Sequence, residues 1–206
     1  GNDHGHDHNH GNDHGHDHDH GHDHNDGHSH AEGAGVHRSY PEVVALVESM
    51  ELPEPVELTA LDAFERLGRA EATIHGTDLD ETHFHEVGAD DAIADVVGAA
   101  LLLYDLGPDR VVTTPVATGG GEIRMSHGVY PVPAPATTEV AAGAAFSTVG
   151  GPVERELLTP TGAAILAAIA DGVDSVPGID VDAAGYGAGD ASFEIRPNVL
   201  RVLVGE

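Results

Sequence analysis

The stretch HFHEVGADDAIADVVG, residues 83–98, decides how this chain is read. It holds two imidazoles and four carboxylates within thirteen positions, then runs into an apolar segment. His83 and His85 are two apart, so an extended backbone points both side chains to one face. Glu86 follows directly, and Gly88 permits a turn that a side chain resists. Asp90 or Asp91 is a good N-cap for the helix that AIADVVGAALLLYDL predicts. Asp91 and Asp95 are four apart and share a helical face. Ile93, Val96, Val97, Leu101 and Leu102 make that helix apolar nearly all round, so it is expected to be buried and Asp95 with it. A buried carboxylate is costly unless it is paired, hydrogen-bonded or bound to a metal. Imidazole beside carboxylate suits a borderline divalent ion such as Ni, Zn or Co. The candidate metal ligands are therefore His83, His85, Glu86, Asp90, Asp91 and Asp95. The competing reading has Asp91 capping the helix, Asp95 bonded to nearby backbone and the histidines solvated.

Upstream of this stretch the chain changes character. Residues 1–36 contain GNDHGHDHNH, the near-duplicate GNDHGHDHDH, and then GHDHNDGHSH. Twelve of the seventeen histidines lie here, with almost nothing apolar to bury. Such a segment cannot offset its chain entropy, so a disordered tail is expected, able to chelate divalent metals loosely. A folded domain is expected over 37–206. SYPEVVALVESM reads as a helix with Ser39 as N-cap and Pro41 in its first turn. VELTALDAFERLGRAEATIHG reads as a second, with Leu58, Leu61, Phe64, Leu67, Ala70 and Ile74 on one side. His75 sits where a cation favours the helix C-terminus.

Downstream, RVVTTPVATGGG reads as a strand entering a glycine-rich loop. Gly119, Gly120 and Gly121 lack the P-loop arrangement, although a phosphate could rest against exposed N–H groups there. Arg124 and His127 lie just before Pro131, Pro133 and Pro135, which stiffen a loop suited to holding a site. ELLTPTGAAILAAIADGV predicts a helix capped by Thr159, begun by Pro160 and stopped by Gly172. Thr159, Thr161 and the free N–H groups of that helix start form a candidate anion site. GYGAGD, with Gly185 and Gly187, reads as a second glycine loop, and PNVLRVLVGE as a final strand. Interleaved helices and strands predict an α/β or α+β fold, a mixed sheet with packed helices after the His/Asp-rich tail.

The formal net charge is −28, with eight basic residues, all arginine. The first thirty residues carry seven Asp, which leaves 29 acidic residues against eight Arg and a charge near −21 elsewhere. Repulsion of that size is tolerable where salt screens it, over about 3 Å near 1 M, so a halophile's protein is expected. A generic nucleic-acid binder needs a basic footprint that this chain lacks. The absence of cysteine removes disulfides, thiolate sites and cysteine nucleophiles. No transmembrane run or secretory segment is present, and a cytoplasmic protein is expected.

Four segments in order, HFHEVGADDAIADVVG, PVATGGGEIRMSHGVYPVPAPAT, ELLTPTGAA and GYGAGD…RPNVLRVLVGE, together resemble the LarC family of nickel-insertion proteins. The likeness covers residues 37–206. It implies insertion of nickel into a pyridinium bis-thiocarboxylate mononucleotide, a CTP-dependent cyclometallation of the lyase class that forms the nickel-pincer cofactor. It implies nickel and CTP, the latter with Mn2+ or Mg2+, as small-molecule requirements. The family's CTP-binding C-terminal part and its opening glycine- and aspartate-containing segment have no counterpart in these 206 residues, so a separate CTP-binding part is an expected partner. A homo-oligomer is also expected. Forming a nickel–carbon bond requires removal of a ring proton. Glu86 and His127 are the candidate bases, with Asp91 or Asp95 supporting them. The resemblance gives the substrate's phosphate to Gly119–Gly121, Arg124, Thr159, Thr161, Gly185 and Gly187. The alternative function is nickel storage or delivery through the His-rich tail. A zinc hydrolase is the weaker third reading, since no HExxH-like helix pair is present.

Overall fold

The computed structural model describes residues 38–84, 88–125, 128–194 and 196–206. The tail, His85, Glu86 and His127 lie outside the described residues. Among the described residues, five α-helices and strands of both orientations make a mixed α/β structure. Helix α1 (Tyr40–Glu48) starts where the sequence predicts. The N–H and hydroxyl of Ser39 both donate to Glu42 Oε2, at 2.7 and 2.8 Å. Helix α2 (Glu54–His75) is the central element and packs on α1, α3, α4 and α5. It ends at Gly76, whose φ of 67° is the left-handed stop that glycine allows.

The buried stripe of α2 differs from the expected one. Val56, Ala60, Ala63, Phe64, Leu67 and Ala70 face the core, while Leu58 and Ile74 are exposed. Several helices crowd this one, and small side chains let their backbones approach. At Gly68 an added Cβ would lie 2.7 Å from Leu79 and 3.0 Å from Tyr40.

Helix α3 (Asp90–Leu106) also corrects the sequence reading. Ala89 holds the cap position without a side-chain bond, and Asp90 and Asp91 lie in the first turn. Ala92, Ile93, Val96, Val97 and Ala100 are buried, but Asp91, Asp95, Leu101 and Leu102 are exposed. The helix buries one stripe, chiefly against α2, and turns the rest outward. Asp95 is therefore a solvated carboxylate, and burial supplies no reason for a metal beside it.

The strands pair two by two among the described residues. Strand β1 (Val112–Thr113) runs parallel to β6 (Asp171–Gly172), and β2 (Val116–Ala117) runs parallel to β5 (Thr148–Val149). Strands β3 (Glu122–Met125) and β4 (Gly128–Pro131) form an antiparallel pair ahead of α4 (Pro135–Ala142). Helix α5 (Pro160–Ile169) begins at Thr159 as expected, with Thr159 Oγ1 accepting from Gly162 N–H at 3.2 Å. It stops at Ala170, before Gly172. A Cβ at Gly172 would lie 2.5 Å from Ala145 O, so this glycine serves strand packing. The last elements, β7 (Val181–Ala188) and β8 (Val199–Gly205), form an antiparallel ribbon. Gly185 and Gly187 thus lie in a strand, where a loop was expected.

Candidate metal centre

Phe84 organises the surroundings of the His83 motif. It is 1% exposed, edge-on to Tyr40 with centroids 6.4 Å apart, and 6.5 Å from Phe64. Burying the middle residue of His-Phe-His turns its neighbour outward by strand alternation, and His83 is exposed. Its backbone is held in a short antiparallel pairing with residues 38–40. Phe84 N–H donates to Arg38 O at 3.0 Å, and Tyr40 N–H donates to Thr82 O at 2.9 Å.

Arg38 closes the other side of the motif. Its Nη1 donates to Gly88 O at 2.8 Å, and its Nη2 pairs with Asp90 Oδ1 at 2.7 Å. One guanidinium fork thereby joins the residue after the motif to the first turn of α3. Gly88 is needed here for space: a Cβ would lie 2.8 Å from Phe84 Cβ and 3.2 Å from Arg38 N.

The imidazole of His83 is oriented. Its Nδ1 lies 3.0 Å from Glu81 O, and because a carbonyl only accepts, Nδ1 carries the proton. In the neutral ring this tautomer leaves the lone pair on Nε2, the arrangement a metal-binding imidazole uses. Glu42 lies on the same side. Its carboxyl is held below the usual glutamate range by the Ser39 N–H first, then the Ser39 hydroxyl, with smaller help from His83 and Arg38. The sequence reading missed Arg38 and Glu42. The Ser39-x-x-Glu42 capping pattern was visible in the sequence, but a contact spanning fifty residues left no local signal.

The described residues bring together no group of three or more His, Asp or Glu able to hold a metal ion. Asp90 is engaged by Arg38, and Asp91 and Asp95 point to solvent. His85 and Glu86, the other expected ligands of this motif, lie outside the described residues.

The candidate phosphate-binding residues separate into different places. The Gly119–Gly121 run is a packing device. Gly120 N–H donates to Arg155 O, Leu157 N–H donates to Thr118 O, and a Cβ at Gly119 would overlap Arg155 O at 1.9 Å. The Glu154 carboxylate lies 3.4 Å from where a Gly120 Cβ would sit, a charge that disfavours phosphate. Arg124 is exposed on β3, opposite Val129. Thr159 and half-buried Thr161 stand at the start of α5, where Thr159 caps the helix.

The described residues thus form a mixed α/β structure that displays an oriented histidine beside a buried aromatic anchor. The sequence pattern described as nickel insertion protein matches residues 8–206, and the chain belongs to that family. A Methanosarcina mazei protein named provisionally for nickel insertion is 50% identical over 165 residues, which cover 80% of this chain and 41% of the relative. The pyridinium-3,5-bisthiocarboxylic acid mononucleotide nickel insertion protein of Desulfitobacterium hafniense (strain DCB-2) is 46% identical over 171 residues, 83% of this chain and 42% of its own length. The protein of that name from Geobacillus kaustophilus is 42% identical over 170 residues, 82% of this chain and 41% of its own. The chain thus spans about two fifths of the length of these curated relatives. No solved structure matches it. No helix among the described residues is long and apolar enough to cross a membrane.

Proposed function

We propose that this chain carries the nickel-handling part of an enzyme that inserts nickel into pyridinium-3,5-bisthiocarboxylic acid mononucleotide. The names of the relatives support the substrate and the metal. The observation that carries the reading to particular residues is the exposed His83 ring, with Nδ1–H tied to Glu81 O and Nε2 left as a donor. In this reading His83, His85 and Glu86 receive the nickel ion, which is a substrate. Asp90 is a positioning residue through Arg38 and not a ligand. The ring carbon that bonds nickel must lose its proton, and Glu86 or His127 accepts it, with Asp91 in support. Thr159, Thr161 and Arg124 are the remaining candidates for the mononucleotide phosphate. CTP, with Mn2+ or Mg2+, is assigned to the part of the family's length that this chain does not span.

The test is a nickel titration by calorimetry, in high salt, on a variant lacking residues 1–36. One tight equivalent is expected. His83→Ala and His85→Ala should each remove it without changing the melting temperature, and His75→Ala should leave it intact. One equivalent bound with unchanged affinity by both motif variants would overturn the assignment.

The second reading is nickel storage through residues 1–36, supported by their twelve histidines alternating with aspartate. It requires that removing 1–36 abolish all measurable nickel binding. The insertion reading requires that only several weak equivalents disappear.

A further inference from the structure

The β7–β8 ribbon is apolar on the face of Gly185 and Gly187 and largely apolar on the other, where Asp182 and Arg201 are its charged residues. Register pairs Tyr186 with Arg201 and Ala188 with Val199 on one face, and Gly185 with Val202 and Gly187 with Leu200 on the other. Every residue of β7 is exposed, as are residues 199–202 of β8. Tyr186 is 66% exposed, Leu200 64% and Val202 49%, and no ribbon residue belongs to the hydrophobic core. A strand largely apolar on both faces has the composition of a sheet interior. A two-stranded ribbon with neither face packed is marginal in water, and its bare edges invite pairing.

The glycines add an independent observation. A Cβ at Gly185 or Gly187 would meet nothing within 4 Å, and neither has a positive φ. Nothing described in this chain needs glycine at either position. Glycine weakens a strand interior, and it is used there where another backbone comes close. With Val202 and Leu200 across from them, the two glycines floor a shallow apolar trough.

The curated relatives are longer. This chain spans 41–42% of them, so about three fifths of their sequence has no counterpart here. We propose that the ribbon is an interface covered on both faces by polypeptide from that remaining family sequence, whose backbone enters the trough over Gly185 and Gly187. The ribbon carries one Asp182 and one Arg201, so it is locally neutral on a chain of −28 and suits an apolar partner. The inference rests on family membership and not on the nickel chemistry, so its failure leaves the nickel titration untouched.

The test co-expresses the tagged full chain with the unmatched sequence of the Methanosarcina mazei relative as a second chain, in high salt. A one-to-one complex is expected, with ribbon amides exchanging slowly in the complex and freely in the chain alone. In the intact relative, the amides matching residues 181–205 should be as protected as its core helices. The double variant Gly185→Ala/Gly187→Ala adds methyls into open space, so the free chain should keep its melting temperature. Its affinity for the second chain should fall about ten-fold or more. The proposal is overturned if no complex forms, if the ribbon still exchanges freely within it, or if the double variant binds equally well. It is likewise overturned if the chain alone is a dimer with protected ribbon amides, since a second copy would then be the occupant.

Discussion

Replacing Arg38 by alanine should cost the fold about 2–3 kcal/mol, most of it through one arm of the guanidinium. The two arms differ in surroundings. Nη1 serves the carbonyl of Gly88, a buried residue, from a side chain that is 18% exposed. A charged donor to a buried carbonyl is worth about 1.5–3 kcal/mol, because its removal leaves the oxygen without a partner. Nη2 serves Asp90, which is 79% exposed, and such a pair contributes about 0–1 kcal/mol. Asp90→Asn should therefore cost less than about 1 kcal/mol. Arg38→Lys should fall between, since an ammonium cannot serve both partners as a planar fork does. Urea denaturation in high salt measures this. With a slope of about 1–3 kcal/mol per molar, Arg38→Ala should lower the midpoint by roughly 1 M. Nickel affinity should fall further than Asp90→Asn makes it fall, by about ten- to a hundred-fold, because the fork positions both ends of the motif. An Asp90→Asn cost equal to that of Arg38→Ala, or an unmoved midpoint for Arg38→Ala, would show that the Gly88 carbonyl does not depend on this guanidinium.

Two further outcomes follow from charge. The folded pKa of Glu42 lies below its unfolded value, so the capping contribution is present above the ordinary glutamate value of 4.5 and is lost as pH falls through the folded one. Glu42→Gln should flatten that part of the acid limb of the melting-temperature profile, and an unchanged limb would remove Glu42 from the account. Burial first, and then Glu65, raises the Tyr40 pKa above 10.0, so its contribution is full below the unfolded value and is lost as pH rises through the folded one. Tyr40→Phe should blunt alkaline unfolding followed by circular dichroism. Lowering salt from about 1 M to 0.01 M lengthens the screening distance from about 3 to 30 Å. At −28 the chain should then lose helical signal and amide protection, and full protection in dilute buffer would contradict the expected salt requirement.

Local signals survived wherever the physics was local. Ser39 before Pro41, Thr159 before Pro160, and Gly76 after His75 mark helix ends because capping and φ preferences act within one turn. The extended backbone at His83 was legible in the sequence, but which of its faces turns outward was decided by Phe84 packing on Tyr40 and Phe64. The four ordered motifs carried the family, which the match over residues 8–206 shows.

Exposure of Asp95 was decided by tertiary structure. An apolar sequence states what a helix can bury, but which stripe is covered depends on how many neighbours reach it, and α3 buries one face chiefly against α2. The same holds for the glycines. In sequence Gly119–Gly121 and Gly185–Gly187 look alike, as loops open to a phosphate. In the fold the first run lets two backbones touch at Arg155, and the second lies in an exposed strand with open space around it. Arg38 could not be read from sequence at all, because its partner Gly88 is fifty residues away and only chain packing brings the guanidinium to that carbonyl.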